Sequence, residues 1–559
     1  MKKLGLTLLL VGLPILTASA QIVDGLSVGF EGNGQWYNDD KKTGPFTDDI
    51  WGPDDQIRSN TYLKIDYNFL DNWFVGMQAE SYLPHALVNY SPDLDGVGLG
   101  LYYGGYRSEK LEVTAGYFYE QFGSGLALRS WENRQLGLNN ALRGGRVKYT
   151  PTDNFELTAL YARQREGFDV SEGDIYGLNS RYDISKLFKW ETSSLAFGAS
   201  YVGRDQKSPF EDSNFDDLTN VFSGRADFIH KNFHTNIEYV NKSEDGVLFG
   251  QGISNDLISA GNAFLINAGY SQRGLGIETT VRRMQNMSFY SEREANSIEN
   301  EYNQDVMNYL PALTKQHDYA LTNIYVYQAQ PGFIFLGPNH IEYGEIGGQI
   351  DVYYTIKKGS ALGGKYGTKL AFNASYWANL RGEFDLQSYN ISTDLLGFGE
   401  KYFSDINIEI RKKWSKSWST IATYVNQYYN KKYIEDRAGQ IKTDIATLEG
   451  TYKMGKGRSL RLEGQHLWTK EDKKNWAAAT VEYNFNSTYG IYVTDSYNYG
   501  NDNEDNRIHY YNVGGRFTKG ATRIALNYGR QRGGLVCVGG VCRFVPETTG
   551  LTLNVSTAF

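Results

Sequence analysis

The stretch Leu551-Thr552-Leu553-Asn554-Val555-Ser556-Thr557-Ala558-Phe559 decides the fold. Leu551, Leu553 and Val555 point one way, while Thr552, Asn554 and Ser556 point the other; Thr557 is the one weak step. A period of two with apolar side chains on one face only describes a strand with a greasy side and a wet side. Taken alone, the segment also suits the last strand of a soluble sandwich. The rest of the chain has to choose.

Composition narrows the choice. Lys2 and Lys3 precede an apolar run from Leu4 to Leu16 and then Ala18-Ser19-Ala20. A basic start, a short apolar stretch and an A-x-A site read as a secretory signal peptide over residues 1–20. The mature chain is then expected to start at Gln21, as a single domain over 21–559. No Cys follows the cleavage site, which argues against a lipid anchor there. Losing two lysines makes the mature chain more acidic than the −8 of the whole sequence, which excludes nucleic acid as an expected partner. Beyond residue 20 no run of about 18 apolar residues occurs, so no helix is expected to span a bilayer. Yet 43 Tyr, 28 Phe and 10 Trp stand beside 61 Gly and only 11 Pro, at a mean hydropathy of −0.49. Transmembrane β-strands hide their hydrophobicity by alternation and gather aromatic residues at the interfaces.

The alternation recurs along the chain. Leu63, Ile65, Tyr67 and Phe69 lead into Leu70-Asp71-Asn72, and Trp73, Val75, Met77 and Ala79 lead out. The same unit surrounds Ser108-Glu109-Lys110, His230-Lys231-Asn232, Gly455-Lys456-Gly457 and Thr518-Lys519-Gly520. Longer polar connections, such as residues 38–59, 83–95, 205–218 and 243–260, lie between these tight turns. A soluble sandwich has no reason to sort its loops this way; a membrane barrel does. The prediction is an all-β fold: a large transmembrane antiparallel up-and-down β-barrel of about 24 strands, with bounds of about 22 and 26. A terminal Phe559 behind Val555, Leu553 and Leu551 resembles the closing strand of bacterial outer-membrane barrels, which implies that these residues serve as the assembly signal.

Residues 288–340 form one long connection, expected on the extracellular side. Its first half, Ser291 to Asn308, is polar and Glu-rich and suits a helix. Tyr319, Leu321, Tyr325 and Tyr327 suit an extra hairpin, which would raise the strand count. A barrel this wide stays open unless something fills it, so partial inward folding is expected. Strands begin almost at once, with Leu26, Val28 and Phe30, which leaves no room for an N-terminal globular plug and argues against TonB-coupled uptake.

Three groups of residues bear on function. Cys537-Val538-Gly539-Gly540-Val541-Cys542 is a two-residue Gly-Gly hairpin with the cysteines one pair further out, which predicts a structural disulfide in an oxidising compartment. Arg411, Glu449, Arg461, Glu463, Glu482, Arg516 and Arg523 fall on the lumen register near short turns and predict a belt of both signs. Such a belt either screens solutes by charge or holds a wide barrel in shape through cross-strand pairing, and pairing is the commoner use. The loop from Tyr119 to Leu142, with Glu120, Arg129, Glu132 and Arg134, is placed to meet that lumen from above. Signals for catalysis are thin. Gln316-His317-Asp318 has no nucleophile elbow or zinc motif around it. Acidic clusters such as Asp48-Asp49, Asp54-Asp55 and Asp93-Leu94-Asp95 lack full Ca²⁺-loop spacing and read as solvated loops. No enzyme activity, cofactor or metal is expected.

Phe122-Gly123-Ser124-Gly125-Leu126, Leu310-Pro311-Ala312-Leu313, Gly363-Gly364-Lys365-Tyr366-Gly367 and the Cys537 to Cys542 hairpin resemble an uncharacterised barrel family (a domain of unknown function) of Bacteroidota outer membranes. The resemblance runs over most of the chain and implies fold and location, with no established substrate. Two functions follow from different classes: a porin-like solute channel without plug or TonB coupling, or a non-conducting scaffold of surface secretion or outer-membrane assembly machinery. Expected partners are outer-membrane lipid and lipopolysaccharide (LPS), the barrel assembly machinery during biogenesis, and proteins at the extracellular loops.

Overall fold

The computed structural model describes residues 23–44, 56–249, 252–294 and 302–559. The expected signal peptide and the acidic pairs at 48–49 and 54–55 lie outside them. The fold is a closed antiparallel β-barrel of 24 strands. Each strand pairs with its neighbours in sequence, and the ring closes where Thr548–Ala558 pairs with Thr522–Gln531 on one side and with Leu26–Tyr37 on the other. The closing seam aligns Val555 with Gly32 and Leu553 with Gly34. Beside it, the amides of Phe559 and Val28 each donate to the other's carbonyl.

The strand Trp73–Tyr82 shows why this sequence makes a barrel of the membrane type. Val75 and Met77 are exposed, whereas Gln78 and Glu80, on the other face of the strand, are only 1 % exposed. Soluble proteins bury the apolar set and expose the polar one. Here the order is reversed, because the outer face is made to meet hydrocarbon and the inner face meets polar groups. Leu526 and Leu553, paired across the last two strands, share the outer face; Val555, on the same face two residues on, is covered by its neighbours.

The two ends of the barrel differ. At one end the connections are tight: Lys456 and Gly457 join Gln440–Gly455 to Arg458–Trp468, both at positive φ, as a two-residue turn matched to strand twist requires. Aromatic pairs such as Trp73–Tyr106, Trp418–Tyr452 and Tyr489–Phe517 ring this short-turn end. At the other end the connections are long.

Three expectations are corrected. Residues 243–260 are mostly not a loop: Phe233–Phe249 and Gly252–Gln272 continue as a projecting hairpin, with irregular register between Lys242 and Leu248. Bulges let a strand bend and continue past the point where the alternating pattern stops, so the polar composition concealed it. No extra hairpin forms from Tyr319 to Tyr327; that segment holds a single 3-10 turn, Ala320–Asn323. Its aromatic residues face the inside of the wall instead of pairing as strands. The described residues between Ser291 and Asn308 form no α-helix, and their backbone is held by a bridge between Tyr290 and Val306.

Candidate functional site

The connection between Leu275–Gln285 and Gly344–Ile356 turns into the lumen and crosses it. Met287, Phe289, Met307 and Ala329 pack with Val202, Val221, Val240 and Ala263 on the inner face of one arc of the wall. Leu321, Tyr325 and Tyr327 pack with Trp377, Phe403, Val425 and Ile445 on a second arc. Leu313 touches both clusters. Polar bonds fix the same path. The Leu321 amide donates to Gln465 (2.9 Å), Trp377 donates its indole N–H to the Leu313 carbonyl (3.1 Å), and Asn308 donates to the Leu126 and Met287 carbonyls.

Buried charges on the wall carry the strongest attachments. Glu345 is fully buried with Arg282 at 2.6 Å, and it also accepts the Tyr327 hydroxyl (2.6 Å) and the Gln330 amide (2.9 Å). Asp245 is shared between Arg204 of the wall and Arg293 of the crossing connection, the latter at 2.7 Å. A buried carboxylate needs such partners, because leaving it unpaired costs several kcal/mol, on the order of 3–5. These residues were missed in the sequence. Arg282 and Glu345 carry opposite charges on neighbouring strands of the inward register, whereas Arg293 reaches Asp245 only because the crossing connection turns inward.

Other loops fold inward onto this crossing. Residues 119–141 reach the wall through the Ser124 amide, which donates to Glu238 (2.9 Å), and through Arg134, which meets Glu31 at 2.6 Å and lies over the Tyr62 ring. Cys537 and Cys542 are joined by a disulfide in the hairpin formed by Gly534–Val538 and Val541–Val545. Gly539 and Gly540 make its turn at positive φ, as the Gly-Gly pair predicts. The hairpin does not stand free. The Ala312 amide donates to the Gly540 carbonyl (2.7 Å), the Tyr309 hydroxyl donates to the Gly539 carbonyl (2.7 Å), and Arg543 donates to the Leu136 carbonyl.

Toward the short-turn end, the crossing connection and the wall enclose a cavity of about 870 Å³, lined among others by Lys315, His317, Asp351, Glu409 and Arg461. The predicted charge belt borders it. Arg461 sits among three carboxylates, Glu463 (2.7 Å), Glu449 (3.2 Å) and Glu482 (3.2 Å), and Arg516 reaches Glu482 at 3.7 Å. Arg411 pairs with Glu409, a residue absent from the predicted belt. Arg523 makes no ion pair among the described residues. Similar pairs, Arg107–Glu112 and Arg181–Asp227, continue around the lumen, so most of the belt is spent on itself. His317 is half-buried, and its partial burial, followed by the charge of Lys315, lowers its pKa below the usual imidazole value. Near the long-loop end, burial together with Glu166, Glu292 and Asp93 pushes the Asp305 carboxyl up to about 7.

A family described only as one of unknown function, DUF6029, matches residues 1–559. The chain belongs to that family. No functionally curated protein matches it. Among solved structures, the chain is similar to the siderophore receptor PirA from Pseudomonas aeruginosa (8% identity, 96% of this chain and 81% of that one, TM-score 0.41). It is also similar to the translocation pore of the P pilus usher PapC (9%, 96% and 99%, TM-score 0.42) and to OccAB3 of Acinetobacter baumannii (10%, 96% and 100%, TM-score 0.35). Scores this low carry no argument about function, and the fold assignment rests on the strand pairing itself.

Proposed function

We propose that the protein is a porin-like solute channel of the bacterial outer membrane whose inward-folded loops act as its gate. In this reading the short turns lie in the periplasm, the long loops face outward, and lipid or LPS surrounds the apolar band. The leader over residues 1–20 directs export, and the closing strand with Phe559 is read by the barrel assembly machinery. In this reading the source is a Gram-negative bacterium of the Bacteroidota, as the resemblance noted above implies. The protein is not an enzyme in this reading.

One observation carries the gate. Residues of the segment 302–333 pack on two arcs of the inner wall, and Leu313 joins the two clusters they form, so the segment occupies the path a solute would take. A wide barrel without such a filler holds only water. The test is single-channel recording of the purified protein in planar bilayers, with and without residues 310–329 replaced by a short Gly-Ser linker. Small or rare openings in the parent and large stable ones in the variant are expected. A variant that inserts normally yet never conducts would overturn the channel.

The docking of the disulfide hairpin onto residues 309–312 favours the second reading, a scaffold whose lumen is permanently filled and whose outer loops hold protein partners. In that case the same variant stays silent and loses a protein that co-purifies with the parent from detergent-solubilised membranes.

A further inference from the structure

The short-turn rim carries a charge pattern that the lumen does not use. Residues 356–369, 411–417 and 453–458 hold eleven Lys or Arg and no Asp or Glu, in a chain whose net charge is −8. They form three neighbouring turns that touch. Lys412 donates to the Leu362 carbonyl (2.9 Å), Lys413 lies over the Tyr366 ring at 5.2 Å, and the Lys453 amide donates to the Ser417 carbonyl (2.8 Å). Arg411 is the only one of these bases with a carboxylate partner among the described residues. At the opposite end of the barrel the balance is inverted: residues 205–217 hold five acidic side chains and one lysine.

Apolar groups stand among the lysines. Leu362 is 71 % exposed and Trp414 56 %, with Trp418 and Tyr452 exposed beside them. The pattern repeats at residues 184–192, where Leu187, Phe188 and Trp190 are exposed between and beside Lys186 and Lys189. Such tips are unfavourable in water. At a bilayer surface they are favourable, because the rings settle at headgroup level while lysine stems lie along apolar surface and carry the charge to the phosphates. An acidic protein would answer the charges but would leave Leu362 and the tryptophans without a role.

We propose that this rim is a binding site for anionic phospholipid headgroups, seated on Lys357, Lys358, Lys365, Lys416, Lys456 and Arg458. The acyl chains lie against Leu362, Trp414 and Trp418. Attraction between basic side chains and an anionic surface is strong only within about a Debye length, and turns at the rim meet that condition. The inference rests on the reading of the chain as an outer-membrane barrel with its short turns in the periplasm. It is independent of whether the lumen conducts.

The test uses the full-length protein reconstituted with brominated phosphatidylglycerol or brominated phosphatidylcholine, read by quenching of tryptophan fluorescence. A Trp414→Phe, Trp418→Phe variant isolates the share of the signal that comes from the rim. Phosphatidylglycerol is expected to associate at least ~3-fold more strongly than phosphatidylcholine, and the preference is expected to shrink in high salt. Replacing the six bases with Gln should abolish it, whereas Lys41→Gln with Lys42→Gln at the far end should not. Equal quenching by both lipids in the parent, or a preference that survives the six substitutions, would overturn the site. If the six-fold variant fails to assemble, salt decides on the parent alone: a preference indifferent to salt overturns the proposal. A parent without lipid preference that is instead retained on immobilised polyglutamate assigns the rim to an acidic protein and overturns it as well. Absence of the protein from outer-membrane fractions would sink the location, a result distinct from any of these.

Discussion

Tyr327 donates its hydroxyl to Glu345 at 2.6 Å, and the same carboxylate meets Arg282 at 2.6 Å, with pair members no more than 1 % exposed. One wall residue therefore answers both a neighbouring strand and the connection that crosses the lumen.

Glu345→Ala leaves Arg282 buried without a counter-charge and Tyr327 without an acceptor, a loss on the order of 3–5 kcal/mol. The strand remains held by its ladder, so the loss should fall on the crossing segment. Limited proteolysis should then cut between residues 302 and 333, where the parent resists. Resistance equal to the parent would show that the carboxylate does not anchor the segment.

The disulfide encloses a short loop, so its global contribution is modest and its local one matters more. Cys537→Ser with Cys542→Ser should loosen the Gly539-Gly540 turn and expose the Ala312 amide that donates to it. Hydrogen exchange at Ala312 should quicken by about tenfold or more, equivalent to roughly 1.4 kcal/mol of local opening, while the barrel strands stay protected.

Asp305 supplies a pH dependence with a defined sign. Its folded pKa of about 7 lies above that of an unfolded aspartate, so the folded state holds the proton more tightly. The associated stability is fully present below about pH 4 and is lost as pH rises through about 7. The contacts around Ser291 and Asp305 should open more readily at pH 8 than at pH 5.5 once intrinsic exchange rates are corrected. Asp305→Asn should remove the difference; the opposite slope, or one that Asn preserves, would contradict this placement of the acid.

On the outer face, Leu553→Arg puts a charge beside Leu526 where hydrocarbon is expected. Near the midplane this costs about 2–4 kcal/mol, less toward the interfaces. Heat-modifiable protein in outer-membrane fractions should fall, whereas Asn554→Arg, on the opposite face of the same strand, should leave it nearly unchanged. Equal amounts of both variants would remove the membrane assignment from this strand.

How much of this was legible follows from where each signal resides. Strand alternation is local, so the barrel and its strand number could be read from residues such as Leu63 to Ala79 and Leu551 to Val555. The Cys537–Cys542 hairpin was legible for the same reason, since turn and register sit within six residues. The lumen was only half legible. Arg461 and its three carboxylates lie on adjacent strands and could be grouped from register alone. Glu345 with Tyr327, Asp245 with Arg293 and Glu238 with Ser124 join residues whose neighbourhood is made by loops turning inward, and no periodicity encodes that. The aromatic run from Tyr319 to Tyr327 looked like a strand because it is apolar and β-prone. It is apolar because it is buried, and burial against a wall needs no ladder.

Leu313, which joins the clusters built on two arcs of the barrel, has a mechanical meaning as well. A single-layered ring of 24 strands is soft to flattening, since each hydrogen-bonded ladder can hinge slightly against the next. A segment packed at both ends turns the ring into a braced one. Cutting the brace would therefore do more than clear a path. The cross-section itself would be free to breathe, and every property that depends on its roundness would fluctuate with it.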